Sequence, residues 1–295
     1  MIEEKKPVAI PIRGDSPLKL AGKRLMRNRL AGFALLIILA LVVLAVGAQW
    51  IAPQDPNKIN LLRRYKAPSA ENLLGTDELG RDVLSRLIYG TQASLLVGLG
   101  STTVSIVIGV LLGALAGYYG GWIDQVVMRS VDIVMCFPFF LMAIVIAAIL
   151  GPSIGTVVFV SGILGWPSLA RMVRAEVLSL RQREFVEAAR ALGLTSMKII
   201  TSHIIPNIFS VVVVYATLGI AGGILGEAGL SYLGLGVKQP QPSWGNMISA
   251  AQNMTVIQFY PWMWVPPGLM ILIVVLAINI FGDALRDALD PKQKV

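Results

Sequence analysis

Residues 183–207 read REFVEAARALGLTSMKIITSHIIPN and form the longest polar stretch lying between clearly apolar runs. Glu184 to Leu192 is rich in strong helix formers and predicts a short amphipathic helix, with Gly193 placed where a left-handed residue would close it. Thr195 then stands at the expected N-cap of a second helix. Ala188, Ala189, Ala191 and Gly193 give this elbow a low surface that another backbone can approach closely, while Arg183, Glu187 and Arg190 rim it with charge. Almost everything on either side is built to stay in lipid.

The 295 residues are 55% hydrophobic and 14% charged. Their mean hydropathy of +0.71 lies outside the soluble range and predicts an all-α membrane protein with several spans. The net charge of +8 comes from Lys and Arg that flank apolar runs instead of lining one face, which is a topology signal and not the footprint of a nucleic-acid binder. Cys136, the only cysteine, sits inside an apolar run, and His203 is the only histidine, so neither a disulfide framework nor a zinc site is expected. No phosphate loop, nucleophile elbow or dinucleotide fingerprint stands in its required context. Catalytic residues, metal ligands and a resident cofactor are therefore not expected in this chain.

Residues 1–30 are polar and basic, with Lys19, Lys23, Arg24, Arg27 and Arg29 next to the first long apolar run, which places this segment in the cytoplasm. That run is too long for a cleavable signal and lacks a small-residue cleavage site. Residues 31–51 form the first transmembrane helix, ending near Trp50 and Pro53. Residues 52–92 carry balanced charge and read as an extracytoplasmic loop. Within it LLGTDELGRDVLSRLIYG, Leu73 to Gly90, predicts a turn at Gly75-Thr76-Asp77 and then an amphipathic helix leading into the membrane. Asp77, Arg81 and Asp82 are expected to cap and pair within this loop, the alternative being a contact with substrate.

Residues 93–282 hold five further helices, with the elbow at 183–206. Residues 93–117 are uncharged, and their glycines suit helix packing. Ile133 to Ala170 is a run of 38 uncharged residues, almost two spans, split by GPSIG at 151–155. Pro138 is expected to kink the first of the two, with Phe137, Phe139 and Phe140 as candidates for a pore or subunit interface. Residues 207–236 form the fifth span, in which Glu227 must face protein or a wet cavity. Trp244 lies in a Pro- and Gly-rich outer loop and reads as an interfacial anchor. Residues 262–282 make the sixth span, and 283–295 a cytoplasmic tail. Six crossings with both termini inside put 18 of the 25 Lys and Arg on the cytoplasmic side, together with the elbow.

The elbow also carries a signature. Glu187-Ala188-Ala189, Gly193, Ile205 and Pro206 fall on the spacing EAA, three residues, Gly, nine residues, I-x-L-P, although His203 replaces the Ile and Ile205 the Leu. Over roughly residues 20–291 the chain resembles the permease subunits of binding-protein-dependent ABC importers. Gly75, Thr76, Asp77, Gly80, Arg81 and Asp82, and the closing GDALRDALDP, resemble the C-type subunit of the dipeptide, oligopeptide and nickel branch. The resemblance implies a type I ABC-importer permease fold of six transmembrane helices. It implies that 183–206 is the coupling loop, with Glu184, Glu187, Ala188, Ala189, Gly193 and Pro206 as ATPase-coupling residues. It also implies a second homologous permease subunit, two cytoplasmic ATPases that bind the ATP and magnesium, and an extracytoplasmic peptide-binding protein, in a bacterial or archaeal cell membrane. On this reading Glu227 belongs to the translocation path or a subunit contact, unless its partner is structural. Trp244 would alternatively underlie the docked binding protein. Nickel chelates are the rival cargo. An ATPase-independent channel or secondary transporter is the rival class, supported by Glu227 alone.

Overall fold

The computed structural model describes Leu25 and residues 28–289, so most of the basic N-terminal segment and the chain beyond residue 289 lie outside the described residues. Among the described residues the chain is almost entirely helical, with one isolated bridge between Thr76 and Asp82. In hydrocarbon every backbone polar group needs an internal partner, and apolar helices of this length meet that demand. The membrane helices are α1 (Arg29–Val46), α2 (Val83–Tyr119), the pair α3 (Gly121–Met135) and α4 (Phe139–Leu150), then α5 (Ile154–Leu180), α7 (Phe209–Tyr232) and α9 (Val265–Leu289). The elbow helix α6 (Glu184–Ala191) lies between α5 and α7, and the short α8 (Trp244–Ile248) between α7 and α9. Five of these are long and apolar enough to cross a membrane, and α3 with α4 makes a sixth crossing if the bent pair counts as one span.

Two elements differ from the sequence reading. The second span does not start at residue 93 behind a separate amphipathic helix, because α2 is one unbroken helix of 37 residues from Val83. At 1.5 Å per residue it is about 55 Å long, well beyond a bilayer core. The run from Ile133 does not make a merely kinked span either. The chain bends by 87° between α3 and α4. Pro138 occupies the N-cap of α4 in extended backbone, φ −59° and ψ 129°. Proline has no N–H to continue the ladder and disfavours helical backbone at the residue before it, so the helix breaks instead of flexing.

The densest packing is between α2 and α5. An added Cβ at Gly113 would stand 2.6 Å from the Ala170 carbonyl oxygen, and one at Gly162 would stand 2.6 Å from Val104 Cβ. Gly109 lies against Leu169 and Gly117 against Val177 in the same way. Lipid is as apolar as leucine, so close backbone approach and the dispersion contacts it allows hold such helices together. After α6, the turn Ser196–Ile199 leads into a π-helical turn, Ile200–Ile204, and Pro206 opens a 3-10 turn, Ile205–Asn207, into α7.

Gly113→Val is expected to destabilise the purified protein by about 1–3 kcal/mol, the usual range for overpacking. Gly32→Ala, where nothing lies within 4 Å of the added carbon, should leave the thermal unfolding temperature unchanged. Equal unfolding temperatures for both variants would rule out the tight α2–α5 seam.

Candidate functional site

The elbow has two faces. Val186 and Ala189, three apart on α6, are 0% and 5% exposed and join a cluster with Tyr118 of α2, Val173 and Val177 of α5, and Ile199. Glu184, Glu187, Ala188, Ala191, Leu192 and Gly193 form the exposed face, and Leu192 is 80% exposed. Ala189 is thus buried and not on the exposed surface of the elbow where the sequence reading put it. It shares the apolar stripe of Val186 and anchors the elbow from beneath. Pro206 is exposed as well, but it lies beyond α6 in the turn into α7.

Gly193 closes α6 with φ +79°. Its N–H donates to the Arg190 carbonyl at 2.9 Å and the Leu194 N–H to the Ala189 carbonyl at 3.1 Å, the two bonds of a Schellman cap. An added Cβ here would meet no atom within 4 Å, so backbone conformation and not space selects glycine. Thr195 does precede the next helical turn in extended backbone, yet its side chain makes no capping bond.

The elbow rests on the end of α2. The Arg190 guanidinium lies 5.1 Å from the centre of the Tyr118 ring, and its Nε donates to the Tyr118 hydroxyl at 3.4 Å. Arg181 Nη1 donates to the carbonyls of Gly117 and Tyr118, each at 3.3 Å. Arg174 pairs with Asp124, and Arg171 Nη2 with Asp132 at 2.8 Å, so α3 is tied to α5 nearby. Tyr118 and Arg181 carry no motif, and only a contact between distant segments shows what they do.

At the other end of α2 lies a buried knot of charge. Asp82 Oδ2 accepts from the Ser85 N–H at 2.8 Å and caps α2, while its Oδ1 accepts from Asn72 Nδ2 at 2.8 Å. Asp77 Oδ2 pairs with Arg81 Nε at 2.6 Å and with Arg86 Nε at 3.5 Å. Arg81 also reaches Gln239 at 2.9 Å, and Arg86 the Pro56 carbonyl at 3.2 Å. Thr76 donates to the Arg63 carbonyl and accepts from the Lys66 N–H. Gly75 and Gly80 both have φ +72°, and a Cβ on Gly80 would collide with the Asn60 carbonyl at 1.8 Å. Asp77, Arg81, Asp82 and Arg86 are each at most 6% exposed, so the motif is spent on holding its own loop together.

Glu227 is fully buried, and its reading as a pore or subunit-interface residue gives way to a contact within the chain. Its Oε1 accepts from Ser231 Oγ at 2.6 Å and Ser243 Oγ at 2.7 Å, and its Oε2 from Ser94 Oγ at 3.5 Å. These serines come from α7, the loop before α8, and α2. Trp244, expected at an interface, is also fully buried, and its Nε1 donates to the Leu87 carbonyl at 3.2 Å. A charge in lipid needs partners, and the carboxylate draws the loop inward to supply them. Phe137, Phe139 and Phe140 are partly exposed. Phe137 lies in the bend, Phe140 packs on α7 against Gly229, and Phe139 lines a cleft with residues of α2, α5 and α7.

Residues 109–295, more than half the chain, match the family described as "Binding-protein-dependent transport system inner membrane component". The chain belongs to this family. Residues 16–68 of the permease match a second description, "N-terminal TM domain of oligopeptide transport permease C". The permease is 43% identical over 279 residues to the dipeptide transport system permease protein DppC of Alkalihalophilus pseudofirmus, covering 95% of this chain and 91% of that one. It is equally identical to a Brucella suis biovar 1 protein named as a peptide permease, covering 95% and 92%. Among solved structures it is similar to an inward-facing MetNI methionine ABC transporter, with TM-score 0.55 and 22% identity over 69% of this chain and 96% of that one. That likeness shows the type I importer permease fold.

Glu227→Leu would leave the Ser231 and Ser243 hydroxyls without their acceptor, at about 1–3 kcal/mol for each buried group stranded. We expect lower abundance and an earlier thermal transition, with a milder effect for Glu227→Gln, which keeps an acceptor oxygen. A Leu variant as stable as wild type would show the network to be dispensable.

Proposed function

We propose that this permease is one of two homologous transmembrane subunits of an ABC importer that takes up di- or oligopeptides delivered by an extracytoplasmic binding protein. Two separate ATPase chains bind ATP and magnesium and hydrolyse the nucleotide, and this chain does no chemistry of its own. The observation that carries the reading is the exposed face of α6, closed by the Gly193 cap and supported from below by Tyr118. A shallow surface of Glu184, Glu187, Ala188 and Leu192 suits a cleft on an ATPase. The peptide cargo is supported by the names of relatives that match nearly the whole chain.

On this reading closure of the ATPases pushes α6, and the push reaches α2 and α5 through Tyr118, Arg190 and the apolar cluster beneath. The transmembrane helices then exchange inward- and outward-facing packings, a two-state change biased by nucleotide. Both termini and the elbow lie in the cytoplasm, and the Asp82 knot lies outside, where the binding protein docks.

Gly193→Asp places a side chain at positive φ and a charge on the docking face, while the membrane helices bury their surfaces elsewhere. The expected result is a complex of normal abundance with little peptide uptake and no stimulation of ATP hydrolysis by loaded binding protein. Gly193→Ala, which bears only the conformational penalty of about 1–2 kcal/mol, should be far milder. Normal uptake by the Asp variant would remove α6 from the coupling path. In a background with Cys136→Ala, a cysteine at Ser69 should react with an impermeant external thiol reagent and one at Ser196 should not; external labelling at Ser196 would invert the orientation.

A further inference from the structure

A cleft of about 210 Å³ opens among α2, α5 and α7. It is lined by Ser101, Thr102, Ser105, Ser161 and Tyr215, with Phe139 at its edge and no charged side chain. Ser101 is the midpoint of α2, so the cleft lies deep within the spans. Hydroxyls in such a place are normally bound to backbone, and four of these are. Ser101 donates to the Val97 carbonyl and Thr102 to the Gly98 carbonyl, both at 2.7 Å. Ser105 donates across to Gly162 at 2.9 Å, and Tyr215 across to Gly165 at 2.8 Å. Each has committed its one proton to a carbonyl and keeps lone pairs for the cleft. Ser161 is different: its hydroxyl is buried, with the residue 7% exposed, and has no hydrogen-bond partner among the described residues. An orphaned hydroxyl destabilises a fold, so a second use must explain a serine where alanine would pack.

Uncharged and rich in acceptors, the cleft matches a ligand that brings N–H donors without needing a counter-ion. Peptides of every sequence share such donors in their backbone amides. We infer that this hydroxyl-lined cleft, with Ser161 in its lining, is a passage subsite that holds the backbone N–H groups of the transported peptide independently of its side chains. The assignment rests on the peptide reading above. It gives an importer of varied peptides a way to hold its cargo in mid-membrane by the one feature they have in common.

The test uses the complete transporter with its partner subunits and binding protein in proteoliposomes, at saturating loaded binding protein. The probes are trialanine and a trialanine methylated at both amide nitrogens. Ser161→Ala breaks no hydrogen bond within the protein, so a hydroxyl of purely structural consequence predicts wild-type uptake and equal or better stability. The subsite predicts trialanine uptake lower by on the order of fivefold, about the worth of one neutral hydrogen bond. Half-saturation for loaded binding protein should be unchanged and stability undiminished. The methylated probe should be carried slowly by wild type and no more slowly by the variant. Gly222→Leu, on the cleft wall where an added Cβ meets nothing within 4 Å, should fill the space and block uptake in an assembled complex. Wild-type uptake by both variants overturns the subsite, as does a loss in Ser161→Ala that is equal for the two probes. No trialanine uptake by the wild-type complex, with ATP hydrolysis intact, overturns the peptide reading and the subsite with it.

Discussion

The fold depends on how closely α2 and α5 approach each other. Within a bilayer there is no hydrophobic gain in bringing two apolar helices together, so the attraction has to come from contact itself. Gly109, Gly113 and Gly117 on one side and Gly162 on the other remove the side chains that would hold the backbones apart. Once α2 and α5 are joined, the other helices have a rigid pair to lean on. α7 packs against both, and α1 and α9 pack against each other.

This pairing makes α2 a shaft between two polar assemblies. At one end, the Asp82 cap and the Asp77, Arg81 and Arg86 cluster fix it to the loop on its own side. At the other, Tyr118 carries the elbow. A buried ion cluster adds little net stability compared with an apolar core, since desolvation offsets most of the attraction. Its effect here is geometric, for it holds the start of the helix in one position. A helix with both ends held moves as a rigid body.

How much of this was legible in the sequence follows the range of the interactions. The α6 boundary, the Gly193 cap and the crossings were readable because each depends on neighbouring residues or on uninterrupted hydropathy. The break at Pro138 was legible as a perturbation but not as an 87° turn, since a proline marks where a helix is interrupted and not the angle at which the chain resumes. Ala189 was misplaced because a helix of eight residues offers two turns from which to tell its faces apart. Trp244 and Glu227 were read separately, one as an anchor and one as a pore candidate, whereas Ser94 and Ser243 join them across long stretches of chain. Nothing in local pattern marks a serine as the partner of a glutamate so far away.

The position of Glu227 bears on how the chain is made. Ser94 on α2 precedes Glu227 by 133 residues, whereas Ser243 follows it by sixteen, so the last of its partners to be synthesised lies beyond the end of α7. Without Ser243 the carboxylate would sit in an apolar helix short of its full set of partners, which is costly in lipid. The polar partners of α7 are thus complete only with the loop that follows it.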